Sequence, residues 1–323
     1  MGPDTVRGMR FAVMIEGQED VTWEDWVAVA RACERLGFEA LFRSDHYASV
    51  DGDGSRGSLD AWGTVCGLAA VTSTLRLGTL VSPATFRHPS VLARLAVTAD
   101  HISGGRVELG IGTGWMEREH RAHGFPYPPM GTRMDRLAEQ LEIVRGSFAN
   151  GPFSFAGEHW SVEALDALPK PVQRPLPLVM GGAAKARGAA LAARFAHEYN
   201  VVHVPPADAA AACGRLHAAC EAAGRDPATL RFSLMHGLLI GADEAELRER
   251  SERLAAWQGA GPDEVAAWRR DWVAGTPEEI VARLREYEAA GVERVMLQHL
   301  LHRDVAALEL LAAEVLPAFA AAA

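Results

Sequence analysis

The sequence lacks the features that mark secreted and membrane-spanning proteins. Its 323 residues include only four cysteines, at positions 33, 66, 213 and 220, and none of them has CxxC spacing. Three of these cysteines fall in apolar helical patterns, so we expect reduced thiols that serve as small core residues. The first eight residues contain no apolar segment suited to secretion, and no stretch approaches the length of a membrane span. These absences predict a soluble, cytoplasmic protein.

There is no block of basic residues either. Lysine and arginine total 32 against 42 aspartates and glutamates, which gives a formal net charge of -10. An acidic chain without a basic cluster is poorly suited to nucleic acid or to an anionic membrane surface, so we expect neither as a partner. Hydrophobic residues, in contrast, make up 49% of the chain. That is enough to bury the core of one large α/β barrel or of two smaller domains.

The chain alternates between short apolar runs and helical patterns eight times. The apolar runs, which we predict to be strands, cover residues 10–15, 39–43, 75–81, 107–111, 176–180, 199–204, 230–240 and 294–298. Parallel strands need helical crossovers, and eight of them close a sheet, so this alternation predicts a (β/α)8 TIM barrel. A doubly wound open sheet is the alternative. We expect one domain over residues 1–323, with a disordered extension at 1–8.

Two segments interrupt the alternation. Residues 115–131 form an insertion after the fourth strand, in which Pro126, Pro128 and Pro129 forbid a regular helix. Residues 150–175 form a long excursion before the fifth strand, and a loop of that length is usually functional or packed by its own side chains. Between the helix predicted at 243–257 and the capping box at 276–279, we predict a turn at residues 259–262.

In a TIM barrel the active site lies at the carboxyl ends of the strands, so candidate residues can be selected by position. Asp45 and His46 follow the second strand, and they are the pair best suited to proton transfer. An imidazole exchanges protons near neutral pH, and a neighbouring carboxylate can tune it. A loop histidine bonded to backbone is the alternative. The other candidates at strand ends are Glu16, Gln18, residues 80–85, 110–117 and 181–185, His203, His236, Gln298 and His299.

Two glycine-rich segments follow predicted strands. Residues 110–114 resemble the glycine loop of methyltransferases that bind S-adenosylmethionine, and loosely a dinucleotide fingerprint. Both would require a helix directly after the glycines and an acidic residue further on, but the proline-rich residues 124–131 occupy that place. Glycines that let a flat ring system approach the backbone fit better. The glycine pair 181–182, with Lys185 at a helix start, could bind an anion or form a plain strand-to-helix turn.

Acidic and histidine residues after the fourth strand raise the question of a metal. Glu117, Glu119, His120 and His123 lie close in sequence, but their spacing is not that of a zinc protease. On a solvated helical turn such residues are usually surface residues. We therefore predict no metal site.

Several longer motifs together resemble a known family, the luciferase-like flavin and deazaflavin oxidoreductases, and specifically the branch that uses coenzyme F420. The matching segments occur in order over most of the chain. They are MIEGQE at 14–19, GFEALFRSDH at 37–46, LGTLVSP at 77–83, RVELGIGTGW at 106–115, PKPVQ at 169–173 and GTPEE at 275–279.

This resemblance implies a TIM barrel with the ring of the cofactor at its mouth. The ring would lie against a bulge at the end of the third strand, with a non-proline cis peptide between Leu80 and Val81. His46 would donate or accept the proton beside the carbon that exchanges hydride, and Asp45 would contact the ring or its side chain. The implied cofactor contacts are Glu16, Asp45, Thr79, Leu80, Val81, Gly112 and Gly114, with Gly181, Gly182 and Lys185 at the phosphate.

One position departs from the family pattern. The F420-dependent sugar-phosphate dehydrogenases carry a catalytic glutamate directly after the glycines of the fourth strand, where this chain has Trp115. This difference argues against a sugar phosphate as the substrate, and it places Trp115 in the wall of an apolar or aromatic pocket. The residues expected in that substrate pocket are Trp115, Glu117, His203 and His299.

We therefore predict an oxidoreductase that transfers a hydride between coenzyme F420 and a small organic molecule, in a homodimer as the family suggests. An FMN-dependent luciferase-like monooxygenase on the same scaffold is the first alternative. An S-adenosylmethionine-dependent methyltransferase and a cofactor-free binding protein are alternatives from other classes.

Overall fold

The computed structural model describes residues 8–50 and 55–320, so the extension predicted at 1–8 lies outside the described residues except for Gly8. The strands are β1 Arg10–Ile15, β2 Ala40–Arg43, β3 Arg76–Thr79, β4 Ser82–Pro83, β5 Val107–Gly112, β6 Phe153–Ala156, β7 Ser161–Leu165, β8 Leu178–Gly181, β9 Glu198–Val202, β10 Arg231–Ile240, β11 Val273–Gly275 and β12 Arg294–Gln298. The α-helices are α1 Trp23–Leu36, α2 Ala61–Val71, α3 Pro89–Ser103, α4 Glu117–His123, α5 Met130–Phe148, α6 Ala186–Phe195, α7 Pro206–Ala222, α8 Glu244–Gln258, α9 Pro262–Asp271, α10 Pro277–Ala289 and α11 Val305–Glu314. Short 3-10 turns occur at Pro227–Thr229 and Leu316–Phe319.

Eight parallel strands close into a barrel, with β3 and β4 counted as one, and we call each of these eight units a stave. Around its circumference the order is β1, β2, β3 with β4, β5, β8, β9, β10 and β12, and β12 pairs again with β1. All of these pairings are parallel, and helices cross between successive staves. The predicted TIM barrel is therefore confirmed. The open doubly wound sheet is wrong, because a closed barrel has no edge strands.

The first strand and helix show how local sequence directs this architecture. The Thr22 hydroxyl accepts a hydrogen bond from the Asp25 amide, and the Asp25 carboxylate accepts one from the Thr22 amide, both at 3.2 Å. This capping box fixes where α1 begins. Gly37 ends the helix in the left-handed conformation, with a φ of 80°, which glycine adopts without strain. Trp26 and Cys33 are fully buried on the face that packs against the barrel.

The third stave contains a bulge at the position that the resemblance implied. Gly78 is opposite Glu108 and Ser82 is opposite Ile111, so four steps on this stave match three on β5. The extra residue falls at the Leu80–Val81 peptide, which is cis, and this expectation is confirmed.

Two glycines of β5 make room for the bulge. A Cβ at Gly110 would lie 1.8 Å from the carbonyl oxygen of Thr79, and one at Gly112 would lie 2.7 Å from Cγ2 of Val81. Neither contact is sterically possible, so a side chain at either position would displace the bulge. The sequence interpretation of the glycines as a surface for a flat ring is therefore corrected for Gly110, which accommodates the neighbouring strand, and stays a prediction for Gly112 and Gly114, which border the mouth of the barrel.

A buried ionic layer closes the amino end of the barrel. Arg294 of β12 lies 2.6 Å from Glu108 of β5, 2.7 Å from Glu198 of β9 and 3.5 Å from Glu39, which precedes β2. These residues come from alternate staves, which is how TIM barrels fill their interior in layers. Burial would lower the pKa of Arg294, but Glu108 and Glu198 outweigh it and raise that pKa. The apolar residues that fill the barrel centre include Ala12, Met14, Phe42, Val179 and Met296.

The structure adds elements that the sequence did not predict. The excursion at 150–175 contains an antiparallel hairpin of β6 and β7. The turn predicted at 259–262 connects α8 to α9, and the elements that the sequence did not predict are α9 itself and β11, which pairs with β10. Among the described residues, no helix has the length and apolar character needed to cross a membrane.

Candidate active site

A cavity of about 840 Å³ opens at the carboxyl ends of the barrel strands. A volume of this size suits a ring-containing cofactor together with a small substrate. Ten of the fifteen residues assigned from sequence to catalysis, the cofactor or the substrate pocket line it: Glu16, His46, Leu80, Val81, Gly112, Gly114, Trp115, Gly181, Gly182 and His203. The strand-end rule therefore brings most of the candidates together.

Five other selected residues lie outside the cavity wall. Thr79 is buried and donates its hydroxyl to the carbonyl of Gly110, and Asp45 is buried behind the wall. Glu117 is exposed and forms an ion pair with Arg121. His299 is buried against the carbonyl of Asp304 at 3.0 Å, and Lys185 lies in a neighbouring groove.

His46 and Glu119 form a pair at the edge of the cavity. Nδ1 of His46 lies 2.8 Å from Oε2 of Glu119, whose side chain is fully buried. The other oxygen of Glu119 accepts from the backbone amides of Tyr47 and Ala48. Because a carboxylate only accepts, Nδ1 carries the proton, which leaves Nε2 as the nitrogen that can exchange a proton with a ligand. The indole of Trp115 meets this imidazole edge-on, with ring centroids 5.5 Å apart.

The pair changes the pKa values of both partners. Burial alone would lower the pKa of His46, but the hydrogen bond and charge of Glu119 outweigh it, and that pKa is raised above 6.5. Burial would raise the pKa of Glu119, but His46 and the two backbone amides lower it. The carboxylate is therefore ionised wherever the imidazole titrates, and it stabilises the imidazolium.

Replacing Glu119 with glutamine should lower the pKa of His46 below its ordinary value. The burial that opposes imidazolium remains, whereas the charge that favours it is lost. In the parent, the raised pKa means that His46 stabilises the folded protein below pH 6.5. This stabilisation is lost as the pH rises through the raised pKa of His46. NMR titration of the imidazole C–H signals would measure the pKa. The signals of His46 would be assigned as those absent from the spectrum of His46→Asn.

The matched control is Glu117→Gln on the same helix, since Glu117 is exposed and its ion pair with Arg121 is remote from the imidazole. This variant should leave the pKa of His46 unchanged. An unaltered pKa in Glu119→Gln would refute the pairing.

Asp45 supports the bulge from behind instead of facing the cavity. Its carboxylate accepts from the Ser82 hydroxyl at 2.6 Å and from both terminal nitrogens of Arg87, at 2.5 and 3.1 Å. The Ser82 hydroxyl also accepts from Nε1 of Trp62 at 3.0 Å, and its oxygen lies 3.1 Å from the hydroxyl oxygen of Thr79. Asp45 therefore has both its oxygens occupied and positions the strand beneath the cavity. A direct contact between Asp45 and a cofactor ring finds no support in this geometry.

The four residues considered as metal ligands do not converge. Glu119 binds His46, whereas Nε2 of His120 lies 2.7 Å from the Thr85 hydroxyl and His123 stacks on Phe125. The expectation that they are all surface residues is wrong for Glu119 and His120, which are completely buried. The short helix α4 packs its inner face against the loop after β2, and this packing could not be read from the helix alone.

A polar chain lies across the mouth from the bulge. Oε1 of Glu16 accepts from the Gln298 amide at 2.5 Å, and Oε2 accepts from the Gln18 amide at 2.8 Å. Gln298 also bonds to His203, whose pKa is lowered by burial despite that bond and the charge of Glu16. Behind His203, burial lowers the pKa of His236 to about 3, so its imidazole is neutral.

A groove of about 830 Å³ adjoins the main cavity and shares Gly182 with it. Lys185, just before α6, and Arg215 of α7 line this groove together with a single carboxylate, that of Asp208, so positive charge is in excess. The amide of Gly182 is not available to an anion, because it donates to the carbonyl of Asn200 at 3.1 Å. The groove can still offer an anion the two cationic side chains and the free amides of the first turn of α6.

Sequence reasoning did not select Arg87, which binds Asp45, or Arg215, which lines the groove. It considered Glu119 only as a metal ligand and did not predict that this residue is buried against His46. A signal existed only for Glu119, because the helix that carries it is followed by the prolines and aromatic residues of a packed loop. Arg87 and Arg215 are two among many arginines in loops and helices. Only the folded barrel shows which of them approach the mouth.

Comparisons with known proteins agree with this geometry. A pyrimidine monooxygenase, RutA from Stutzerimonas stutzeri, is 35% identical over 222 residues, which cover 65% of this chain and 58% of the relative. The chain thus matches less than two thirds of that relative's length. The monooxygenase RslO1 from Streptomyces bottropensis has 25% identity and a TM-score of 0.80, covering 97% of this chain and all of that one.

An F420-dependent secondary alcohol dehydrogenase, solved with an F420-acetone adduct, superposes with a TM-score of 0.82 over 97% of this chain and 99% of its own. At 19% identity this likeness shows a shared fold. The model of one family, described as luciferase-like monooxygenase, matches residues 9–294, from the first strand to the last. The match covers the bulge, the His46 loop and the glycines after the fifth and eighth strands, and this chain belongs to the luciferase-like monooxygenase family of oxidoreductases.

Proposed function

We propose that this protein transfers a hydride between coenzyme F420 and a small organic substrate, with His46 as the proton donor or acceptor. The observation that carries the proposal is the orientation of His46. Its Nδ1 is held by the buried Glu119, and its ring borders the cavity. A hydride exchanged with an alcohol or carbonyl must be matched by a proton on the oxygen, and a positioned imidazole supplies this step.

The cavity wall beside the bulge suits a flat ring. Leu80, Val81, Gly112 and Gly181 line it together, and a Cβ at Gly181 would lie only 3.3 Å from Cγ1 of Val81. Small residues on adjacent strands leave a smooth surface of backbone and aliphatic groups. A deazaflavin or flavin tricycle fits against such a surface.

The groove beside this wall suits the rest of the cofactor. Both F420 and FMN carry a phosphate beyond the ring, and F420 continues into a chain of carboxylates. The groove offers Lys185, Arg215 and the start of α6 to such an anionic tail. Its volume, about 830 Å³, accommodates more than a single phosphate, and this favours F420.

Replacing both Lys185 and Arg215 with methionine should weaken F420 binding by about tenfold, because both side chains are near the surface and partly screened. Quenching of F420 fluorescence during titration would measure the change. The control is Arg187→Met, since Arg187 is in the first turn of α6, close to Lys185, but pairs with Asp135. Equal affinities for the double variant, the control and the parent would remove the groove from the proposal.

Each group has a defined part in the reaction. F420, when bound, supplies the carbon that accepts or donates hydride. Nε2 of His46 takes the proton from a substrate hydroxyl in oxidation or returns it to a carbonyl in reduction. Glu119 holds the imidazole in one orientation and stabilises its protonated form. Trp115 covers His46 on one side and restricts the approach of water.

The proposal is tested by titrating the purified protein with F420 and, separately, with FMN. We expect saturable binding of F420 at a stoichiometry of one, and binding of FMN at least about tenfold weaker. S-adenosylmethionine serves as the unrelated ligand and should not bind. Tighter binding of FMN than of F420 would reject the proposal.

A flavin-dependent monooxygenase is the second candidate, and the identity with RutA favours it. The same ring wall and the same His46 would serve that reaction. Oxygen consumption with reduced FMN, corrected for the uptake by free reduced FMN, distinguishes the two, because a deazaflavin reacts poorly with oxygen. Substrate-dependent uptake above this background that is lost in His46→Asn would favour the monooxygenase.

A further inference from the structure

The mouth of the barrel has two chemically different halves. The bulge, Gly112 and Gly181 belong to the third, fourth and fifth staves around the barrel. Gln298, at the end of β12, is four staves from Gly112 in either direction and therefore lies diametrically opposite. Glu16 follows β1 and His203 follows β9, so both residues lie in the same half as Gln298. If the cofactor ring lies on the bulge, this second half is left to the substrate.

The fixed charges in the cavity wall are negative. Glu16, Glu19 and Glu264 line it, whereas no lysine or arginine does so among residues 8–50 and 55–320. His46, which can carry a positive charge, is paired with Glu119. The arginines nearest to the cavity lie behind its wall. Arg43 is fully buried and donates to backbone carbonyls and the Thr64 hydroxyl, and Arg56 lies against Trp257.

Glu16 is a wall carboxylate for which the described residues provide no ion pair. Glu19 forms an ion pair with Arg56 at 2.8 Å. Glu264 lies on the exposed rim, where it accepts from the amide of Gly261 at 2.9 Å. Glu16, in contrast, receives its hydrogen bonds from the neutral amides of Gln18 and Gln298. These amides orient the carboxylate and leave its charge in the cavity.

An aromatic wall borders the same half. Trp268 and Trp272 stack with ring centroids 5.2 Å apart, and His203 lies 6.3 Å from Trp272. Trp272 can lie this close to the barrel because residue 237 is glycine, where a Cβ would be 2.3 Å from the indole. Indole faces attract flat rings and cations.

We propose that the substrate is a neutral or positively charged flat ring compound whose N–H group donates to Glu16, and that anionic substrates are excluded. A carboxylate or phosphate in this half would meet Glu16 without a compensating cation, which is repulsive at short range in a partly buried site. The inference rests on the proposed function, because that function assigns the bulge to the cofactor and the opposite half to the substrate.

Three probes of nearly identical shape test whether the site excludes anions. They are benzamidine, benzamide and benzoate, which carry charges of +1, 0 and -1 near neutral pH. Ligand-observed NMR titration of the F420-saturated enzyme would give their dissociation constants. We expect benzamidine to bind at least as tightly as benzamide, and benzoate to bind about tenfold or more weakly than either. This order in the parent protein needs no variant. Equal or tighter binding of benzoate would overturn the inference.

The variant Glu16→Gln assigns the effect to one residue. It should reduce the preference for benzamidine over benzoate to about threefold or less. Glu264→Gln removes the same charge from the exposed rim and should leave the preference within about twofold of the parent, because solvent screens that position. A preference that survives Glu16→Gln would refute the role of Glu16.

The two hypotheses can fail separately. Failure to bind F420 in the titration described above would reject the proposed cofactor, and the probe titration can then be repeated on the cofactor-free protein. Normal F420 binding together with tight binding of benzoate would reject only the substrate class.

Discussion

Replacing His46 with asparagine should reduce turnover with F420 by about 100-fold or more, while F420 affinity changes by less than about threefold. Asparagine retains a donor near the Nδ1 position and so can still bond to Glu119, but it cannot exchange a proton. The loss should therefore appear in kcat, with little change in binding. Stopped-flow measurement of F420 absorbance under single-turnover conditions separates chemistry from product release.

The pH profile gives an independent check on His46. Because its pKa is raised, substrate oxidation by the parent should accelerate as pH rises through a value above 6.5, and reduction should slow over the same range. The asparagine variant should lose this transition. His123→Asn is the control, since His123 is exposed at the end of α4 and stacks only on neighbouring aromatic rings. Full turnover by His46→Asn would show that another group moves the proton.

Replacing Gly110 with alanine should destabilise the fold by about 3 kcal/mol or more, and F420 affinity should fall with it. The added methyl would lie 1.8 Å from the carbonyl oxygen of Thr79, and this neighbour is backbone and cannot rotate away. The strand must shift, and with it the Leu80–Val81 bulge that faces the cavity. Denaturant unfolding and an F420 titration would measure the two effects.

Gly131→Ala is the matched control for Gly110→Ala. Gly131 lies in the first turn of α5, where a Cβ would meet no atom within 4 Å. Alanine there should be neutral or stabilise the protein by up to about 1 kcal/mol, because it restricts the unfolded chain. Equal stability for the two variants would contradict the packing described for the bulge.

The barrel could be predicted from the sequence because its strands are buried on both faces. Such strands appear as short apolar runs, and the helices between them have capping signals such as Thr22 and Gly37. The bulge could not be predicted from apolar patterning, since the sequence 75–81, LRLGTLV, shows no break at the position of the extra residue. Its position followed from the family resemblance, and its cause, the space above Gly110, appears only when two strands are paired.

The candidate site could likewise be predicted only in part. The strand-end rule brought ten selected residues to one cavity, because a closed barrel puts all eight carboxyl ends on one face. It could not distinguish a residue that faces the mouth from its neighbour that faces away. Asp45 and His46 differ in this way: one supports Ser82 and the other borders the cavity. Helix α9 was missed because half of its residues are charged and Trp268 is its one buried residue.

The ionic layer around Arg294 also determines how molecules reach the reaction centre. Since four alternate staves are tied together there and apolar side chains fill the space above, the described residues leave no passage at the base of the barrel. Under the proposed function, cofactor and substrate therefore share one opening. A ligand that lies beneath the other in the cavity would have to bind first and leave last.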